Sequence, residues 1–402
     1  MLKIQLGSSN NIIQINYKQR FMDYPYLLFY FVQLYLAFQY WKKPDERLVK
    51  WSIFLQFAFF ALRAPVVGAD TWNYVRYLDG ERNFYNYDPR PLEPAFIIYR
   101  EVMVWLHCNR LACMVINTIV SCYPIYLMVK KYSTNVPFTM AMFSIFNVYY
   151  VYWCGLRQII GLAILFMGLL YVLEEKKRKW IVFAGCAVLG YNFHTSIAVY
   201  VAIFLGVYFI NFKSRTIVIA AIAVSAAIGI VLQSFNVMDA FNFFLSLNVE
   251  STERLEGYLG NTDDVNEITS IFISLRPSLI AIGIYALMDK DKLNHWFSLI
   301  YVSGVIIDNL FISVPMIGRL TGGLTIFGPI VITWVFSSKY YAVAQYRKWV
   351  NTVVVLFLLY FSQMYVKINM DDAIDLFSSG RMHPYQFIWE DYSNHPSCKY
   401  FN

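Results

Sequence analysis

Apolar stretches of membrane-crossing length recur along almost the whole chain, and short lysine-bearing loops separate many of them. A hydrocarbon core about 30 Å thick asks for roughly 20 mostly apolar residues per helix. That ruler predicts spans near 24–41, 48–65, 110–129, 135–152, 157–174, 179–192, 195–211, 215–233, 268–288, 294–313, 318–337 and 348–366. The expected fold class is all-α: a polytopic membrane helical bundle of about 12 transmembrane helices. The stretch 93–107 is apolar but short and charged, and reads as a re-entrant or interfacial helix. The pair 179–192 and 195–211 is weak, because each half is short. Composition excludes a soluble enzyme: 58% of the 402 residues are hydrophobic and 15% charged, against about 45–50% and 25% in soluble domains. The first twenty residues hold no signal-peptide core. Six scattered cysteines form no CxxC pair and no disulfide framework.

Alternate ends of the predicted spans carry the lysines, as the positive-inside rule asks. Lys42, Lys43, Arg47 and Lys50, then Lys130 and Lys131, then Lys176 to Lys179 mark the inside, as do Lys213, Arg215, Lys290, Lys292, Lys339, Arg347 and Lys348. Residues 1–23 then form an extracytoplasmic N-terminal extension and 24–366 the transmembrane domain, with outer loops 66–92 and 234–267. The tail 367–402 is extracytoplasmic. Of the 33 lysines and arginines, 17 fall inside and 13 of those are lysines, whereas 12 of the 16 outside are arginines. Orientation explains the lysines but not an outer reservoir of arginine. A guanidinium binds phosphate bidentately and stays charged in a partly dry site, so an outward-facing anion site is expected. Pairing with loop carboxylates or lipid headgroups is the plainer alternative for any one arginine.

Five polar clusters punctuate the outer ends. The first holds Arg63, Gly68, Asp70, Thr71 and Tyr74 after the second span. It reads either as a capping turn or as charges held in a cavity. Glu93-Pro94 opens the short apolar stretch that carries Arg100 and Glu101. Proline in a first helical turn is ordinary, and the glutamate suits either the helix dipole or a functional role. Arg157 and Gln158 start another span after Trp153, Cys154 and Gly155. Snorkelling would account for the arginine, but not for the glutamine beside it. In Asn192-Phe193-His194-Thr195-Ser196, the histidine is one of only five and could take a proton from a hydroxyl. Lastly, Arg276 and Arg319 sit at outer helix ends, with Asp308 a buried acid that could pair with either. No Walker loop or dinucleotide fingerprint occurs, and no second ligand stands at metal spacing from His194. Neither a nucleic acid partner nor a metal is indicated. Outer aromatics such as Tyr77, Phe84, Tyr85 and Tyr87 could stack on sugar rings.

The order of these motifs (an arginine, V-G-A-D-T-x-x-Y, E-P-x-F, L-R-Q, F-H-T-S and a late arginine) resembles the EpsG family over roughly residues 24–388. The first twenty or so residues look like an extension. The resemblance implies a Wzy-type polymerase of exopolysaccharide, capsule or O-antigen in the cytoplasmic (inner) membrane, its active site facing the extracytoplasmic side. Such an enzyme is a metal-independent glycosyltransferase without cofactor, and its partners are an undecaprenyl-diphosphate-linked glycan and the lipid bilayer. It leaves room for a chain-length regulator and a flippase as further partners. Matched motif by motif, His194, Asp70 and Glu93 become the catalytic candidates, with His194 the leading base. Arg157 and Arg319, helped by Arg63 or Arg276, would hold the diphosphate, and Tyr74 and Gln158 would contact substrate. Preorganised cations stabilise the charge that builds on a departing diphosphate. A flippase of lipid-linked oligosaccharide and a membrane O-acyltransferase are the rival functions. Against the first, no internal repeat is evident and the charges gather at the rim.

Overall fold

Helix boundaries follow the polar punctuation between the apolar runs. The computed structural model describes residues 24–68, 71–80, 92–145, 155–234, 267–312, 317–352, 354, 355, 358 and 385–391. Tyr24–Lys42 (α1) and Glu46–Ala61 (α2) form the first hairpin, and the Asp45 carboxylate caps α2 by accepting the Arg47 N–H at 2.8 Å. Gln33 Nε2 donates to Ser52 O at 2.8 Å, and Ser52 Oγ donates to Gln33 Oε1 at 2.5 Å. These buried polar groups hold the pair together where no water competes. Thr71–Leu78 (α3) is a short helix inside the expected outer loop. Pro94–Trp105 (α4) spans only about 18 Å, too little to cross a bilayer.

Asn109 caps Arg110–Tyr132 (α5) by accepting the Ala112 N–H at 2.9 Å, while Lys130 and Lys131 suit its C-terminal dipole. Val136–Ile145 (α6) follows, then Leu156–Leu173 (α7), most of whose residues are buried. Lys179–Tyr191 (α8) and Ile197–Val207 (α9) make a short helical hairpin against α7. Close approach depends on glycine: a Cβ on Gly161 would sit 2.8 Å from Gly190 O, a backbone atom that cannot swing aside. The chain continues through Arg215–Ser234 (α10), Glu267–Leu287 (α11), Trp296–Leu310 (α12) and Ile317–Thr325 (α13). After α13 the axis breaks, and Gly328–Val331 and the 3₁₀ turn Ile332–Ser337 complete that run. No strand forms among the described residues apart from one isolated bridge.

Lysine-bearing loops gather at one end. Lys130 reaches Glu46 at 3.1 Å, and Lys131 and Lys176 meet Glu174 at 2.6 and 2.7 Å. Those two ammonium groups hold the Glu174 carboxyl below its ordinary range. Phe212 N and O pair with the Asn294 amide at 2.7 and 3.1 Å, and Trp334 Nε1 donates to Tyr132 O at 2.7 Å. His295 caps α12 through Nδ1 and is ringed by Tyr132, Phe297 and Trp334. Burial there, with Lys292 nearby, lowers its pKa to about 4.

Four runs among the described residues are both long and apolar enough to cross a membrane: Arg110–Tyr132, Leu156–Leu173, Arg215–Leu232 and Leu320–Ser337. The other expected spans are shorter or more polar helices, or leave the described residues. Apolar helices of 10–17 residues, including Lys179–Tyr191, Ile197–Val207 and Trp296–Leu310, occupy several of them, and the tyrosines of α1 lower its hydropathy despite its 19 residues. Of the about twelve expected crossings, four stand at full length among the described residues. Large apolar side chains face outward on whole helix sides, among them Leu28, Phe31, Tyr35 and Phe38 on α1 and Ile217, Val224 and Val231 on α10. Such faces suit lipid rather than water. The chain is a membrane protein.

Candidate functional site

Opposite the lysine end, three of the sequence motifs converge. Arg157 occupies the first turn of α7 behind Gly155, where the helix dipole disfavours a cation. Its compensation comes from another segment. Glu93 precedes Pro94 in extended conformation and leaves its own helix without a side-chain cap. Its Oε2 instead accepts from the Arg157 guanidinium at 2.5 Å, with the two side chains only 17% and 15% exposed. Arg157 Nε lies 3.4 Å from the Tyr74 hydroxyl, and the guanidinium sits 5.8 and 5.9 Å from the Tyr74 and Phe96 rings. Tyr74, buried on α3, meets Phe96 edge to face. This is a shielded, charge-assisted site of the kind that positions phosphate or sugar groups.

The histidine motif joins it from below α4. Ala95 N donates to Asn192 O at 3.1 Å, and the Tyr99 and Phe193 rings meet edge to face at 6.0 Å. His194 is half-buried in this turn, its Nδ1 2.8 Å from Ser196 Oγ and accepting the Ser196 N–H at 3.3 Å. An Nδ1 that accepts from this backbone N–H corresponds to the neutral tautomer with its proton on Nε2.

Gln158 points elsewhere, one helical step around from Arg157. Its Nε2 donates to the Tyr200 hydroxyl at 2.8 Å, which donates in turn to Leu320 O at 2.8 Å. Gly323 makes room for this link, since a Cβ there would lie 2.6 Å from the Tyr200 oxygen. Gln158 therefore ties α7 through α9 to α13 rather than facing Arg157. Arg319 lies on α13 one residue before Leu320; its side chain is outside the described residues. On the same helix Thr321 Oγ1 donates to Asp308 Oδ1 at 2.7 Å, and Arg276 on α11 acts electrostatically on that carboxyl. Arg276 and Thr321 of α13 thus meet at Asp308, and Leu320 on the same helix is linked to Gln158 through Tyr200.

Arg63 is buried and pins the turn after α2: Nε donates to Phe60 O at 3.3 Å and an Nη to Val67 O at 3.1 Å. Gly68 follows with φ +115°, a left-handed conformation that glycine alone adopts without strain. Asp70 lies outside the described residues. The C-terminal segment seals this corner. Ala64 N donates to Gln386 O at 2.7 Å, Ile388 N to Leu62 O at 2.9 Å, and the Tyr385 hydroxyl to Phe59 O at 2.8 Å. Burial raises the Tyr385 pKa, with Arg63 opposing. The Tyr385 ring is enclosed against Tyr26 and Phe59.

Two further contributors escaped sequence reasoning. Tyr200 sits in a uniformly apolar run with no polar neighbour to mark it. Asn117 accepts from the Tyr99 hydroxyl at 2.7 Å, and its only advance signal was a polar residue within a span.

Comparison with the curated proteins and with the solved structures returns no match. A family model does match, and it covers residues 46–387, from the first residue of α2 to the segment that bridges Arg63. Over most of its length, then, the chain belongs to the EpsG family, which points to a Wzy-like polymerase of polysaccharide biosynthesis.

Proposed function

We propose that the protein polymerises oligosaccharide repeat units carried on undecaprenyl diphosphate, at the end of the bundle opposite the lysine loops, with that end facing the extracytoplasmic side. The observation carrying this reading is the meeting of Tyr74, Glu93, Arg157 and the His194 turn, four separate segments, in one shielded cluster. A hydroxyl oxygen of the incoming unit attacks the anomeric carbon of the growing chain. The bond from that carbon to the diphosphate breaks, the hydroxyl proton passes to a carboxylate, and the lipid diphosphate leaves. Arg157 stabilises the charge building on the leaving group, and Arg319, Arg63 and Arg276 add positive potential from neighbouring helices. Removing one such preorganised donor costs on the order of 10²–10³ in rate.

Sequence reasoning made His194 the leading base. Its Nδ1 contacts with Ser196 favour a different division of labour, in which Nε2–H donates to a phosphate or sugar oxygen. Glu93 and Asp70 are then the carboxylates available to accept the hydroxyl proton. Glu93 is held beside Arg157 in the resting pair and is released when a diphosphate takes its place. No bound nucleotide is required, because the glycosyl–diphosphate bond is already activated.

The test is reconstitution. Purified protein in liposomes, supplied with diphosphate-linked repeat units and no nucleotide sugar, should produce a ladder of longer glycans. Absence of any elongation by folded protein would refute the assignment, and transfer of unelongated units across the bilayer would identify a flippase instead.

A further inference from the structure

An apolar groove of about 240 Å³ runs between α2, α5 and α6, with Ile53, Phe57, Ile119, Tyr126, Met140 and Phe143 among its walls. Ile119 and Tyr123 along its side are 48% and 53% exposed on a helix long and apolar enough to cross the bilayer. The groove thus opens sideways, toward the membrane interior. At its upper end, Phe60 and Cys122 are shared with a second, polar pocket of about 20 Å³ lined by Arg63, Thr71, Asn117, Thr118, Ser121 and Leu156. That volume suits one water-sized group, such as a single phosphate oxygen.

One buried group in this upper pocket lacks a partner. Asn117 is 5% exposed; its Oδ1 accepts from Tyr99, but its Nδ2 meets no acceptor among the described residues. An unpaired buried amide donor costs about 1–3 kcal/mol, so its retention beside Arg63 calls for an acceptor from outside the chain. The neighbouring Ser121 and Thr118 hydroxyls donate to their own helix, at Asn117 O (2.7 Å) and Met114 O (2.8 Å), and neither oxygen accepts from Nδ2.

We infer that this groove is a lateral berth for the hydrocarbon chain of a polyprenyl phosphate lipid, whose head places an anionic oxygen against Asn117 Nδ2 below Arg63. The inference rests on the polymerase reading and adds to it a location for the lipid. Charge selects the occupant: the Asn117 amide donor and a buried cation stand at the head, and the walls of the rest are apolar but for Gln56 and the tyrosine hydroxyls. A one-chain lipid matches a narrow channel walled by α2, α5 and α6, and Thr71 in the upper pocket lies one helical turn before Tyr74, the α3 residue that contacts Arg157. The carrier thereby enters from the side, with its anomeric end led toward the Arg157 cluster.

The experiment uses the full-length protein in phosphatidylethanolamine and phosphatidylglycerol nanodiscs with a diazirine-bearing polyprenyl phosphate, followed by peptide mapping after illumination. Labelling should concentrate on 53–60 and 119–126 and be displaced by unlabelled polyprenyl phosphate, but not by tenfold excess phosphatidylglycerol or pyrophosphate. Ile119→Trp should cut this labelling at least tenfold, with Tyr123→Trp as the second blocking variant if the first does not fold. Asn117→Leu should weaken displacement about fivefold while labelling stays in place. Labelling spread over all lipid-facing helices, unmoved by either tryptophan, or displaced equally by phosphatidylglycerol would overturn the berth. Protein that labels as expected yet elongates no glycan would instead sink the polymerase reading and leave the lipid site standing.

Discussion

The pairing of Arg157 with Glu93 can be dissected by a double-mutant cycle with two readouts. Charge-assisted hydrogen bonds contribute about 1.5–3 kcal/mol, and stripping one partner from a fully buried pair costs about 3–5 kcal/mol. Here the side chains retain 17% and 15% exposure, so water tempers the penalty and each single change should cost about 2–3 kcal/mol. For a chain of this size that is a fall of roughly 2–4 °C in the detergent melting temperature. Glu93→Gln leaves a guanidinium in a shielded site, and Arg157→Gln leaves a carboxylate. The double variant leaves neither, so its loss should be smaller than the sum of the singles by about 2 kcal/mol. Activity behaves differently if the proposed chemistry holds. Polymer laddering in a complemented deletion strain should vanish in both singles and stay absent in the double, even though the double is at most about 1 kcal/mol less stable than the more damaged single. Arg157→Lys keeps the charge but loses the fork, and should fall short of wild type by about tenfold or more. Restored laddering in the double variant would refute the reasoning, since it would make the pair a scaffold and nothing more.

Three other outcomes follow from the same geometry. His194→Gln keeps an N–H donor near the Nε2 position and should retain part of the laddering that His194→Ala loses; equal loss in both would return His194 to the role of base. Gly161→Val would press a side chain onto Gly190 O, which stands 2.8 Å from the ideal Cβ. It should lower stability by about 1–3 kcal/mol and displace the Asn192–Ser196 turn, read as reduced laddering at normal membrane levels. His295 has a folded pKa near 4 against 6.5 in the unfolded chain. Its contribution is therefore complete above pH 6.5 and declines as pH falls toward 4, by at most roughly 3 kcal/mol. His295→Asn keeps a capping oxygen and removes the proton site, so its melting temperature should vary less over that window.

Much of the architecture was legible because hydrocarbon thickness and backbone hydrogen bonding leave a helix as the only economical solution for such apolar runs. Predicted boundaries at 157–174, 215–233 and 110–129 fall close to α7, α10 and α5. Less legible was the partition into full and partial crossings, because hydropathy averages over a window and cannot see where a turn such as Asn192–Ser196 stops one helix and starts another. At the site, Glu93 and Arg157 stood out as charges at the edges of apolar runs, but nothing in the 63 residues between them stated that they touch. Gln158 illustrates the converse. The family resemblance makes it a substrate contact, and its next-door position to Arg157 does not reveal that the 100° step of an α-helix turns its amide to Tyr200. The packing of Tyr385 against Phe59 links residues 326 apart, a separation over which local pattern carries no information.

The hairpin of α8 and α9 has a physical consequence for its surroundings. Helices of 13 and 11 residues reach only about 20 and 17 Å, well short of a 30 Å hydrocarbon layer. Lipid beside them must compress, or headgroups and water must sink toward the Asn192–Ser196 turn. A dimple in the leaflet at that point would let a hydrophilic sugar chain hang beside the cluster without leaving water, while its carrier stays dissolved in oil. The working depth of the protein is then a property shared between the polypeptide and the thickness of the membrane around it.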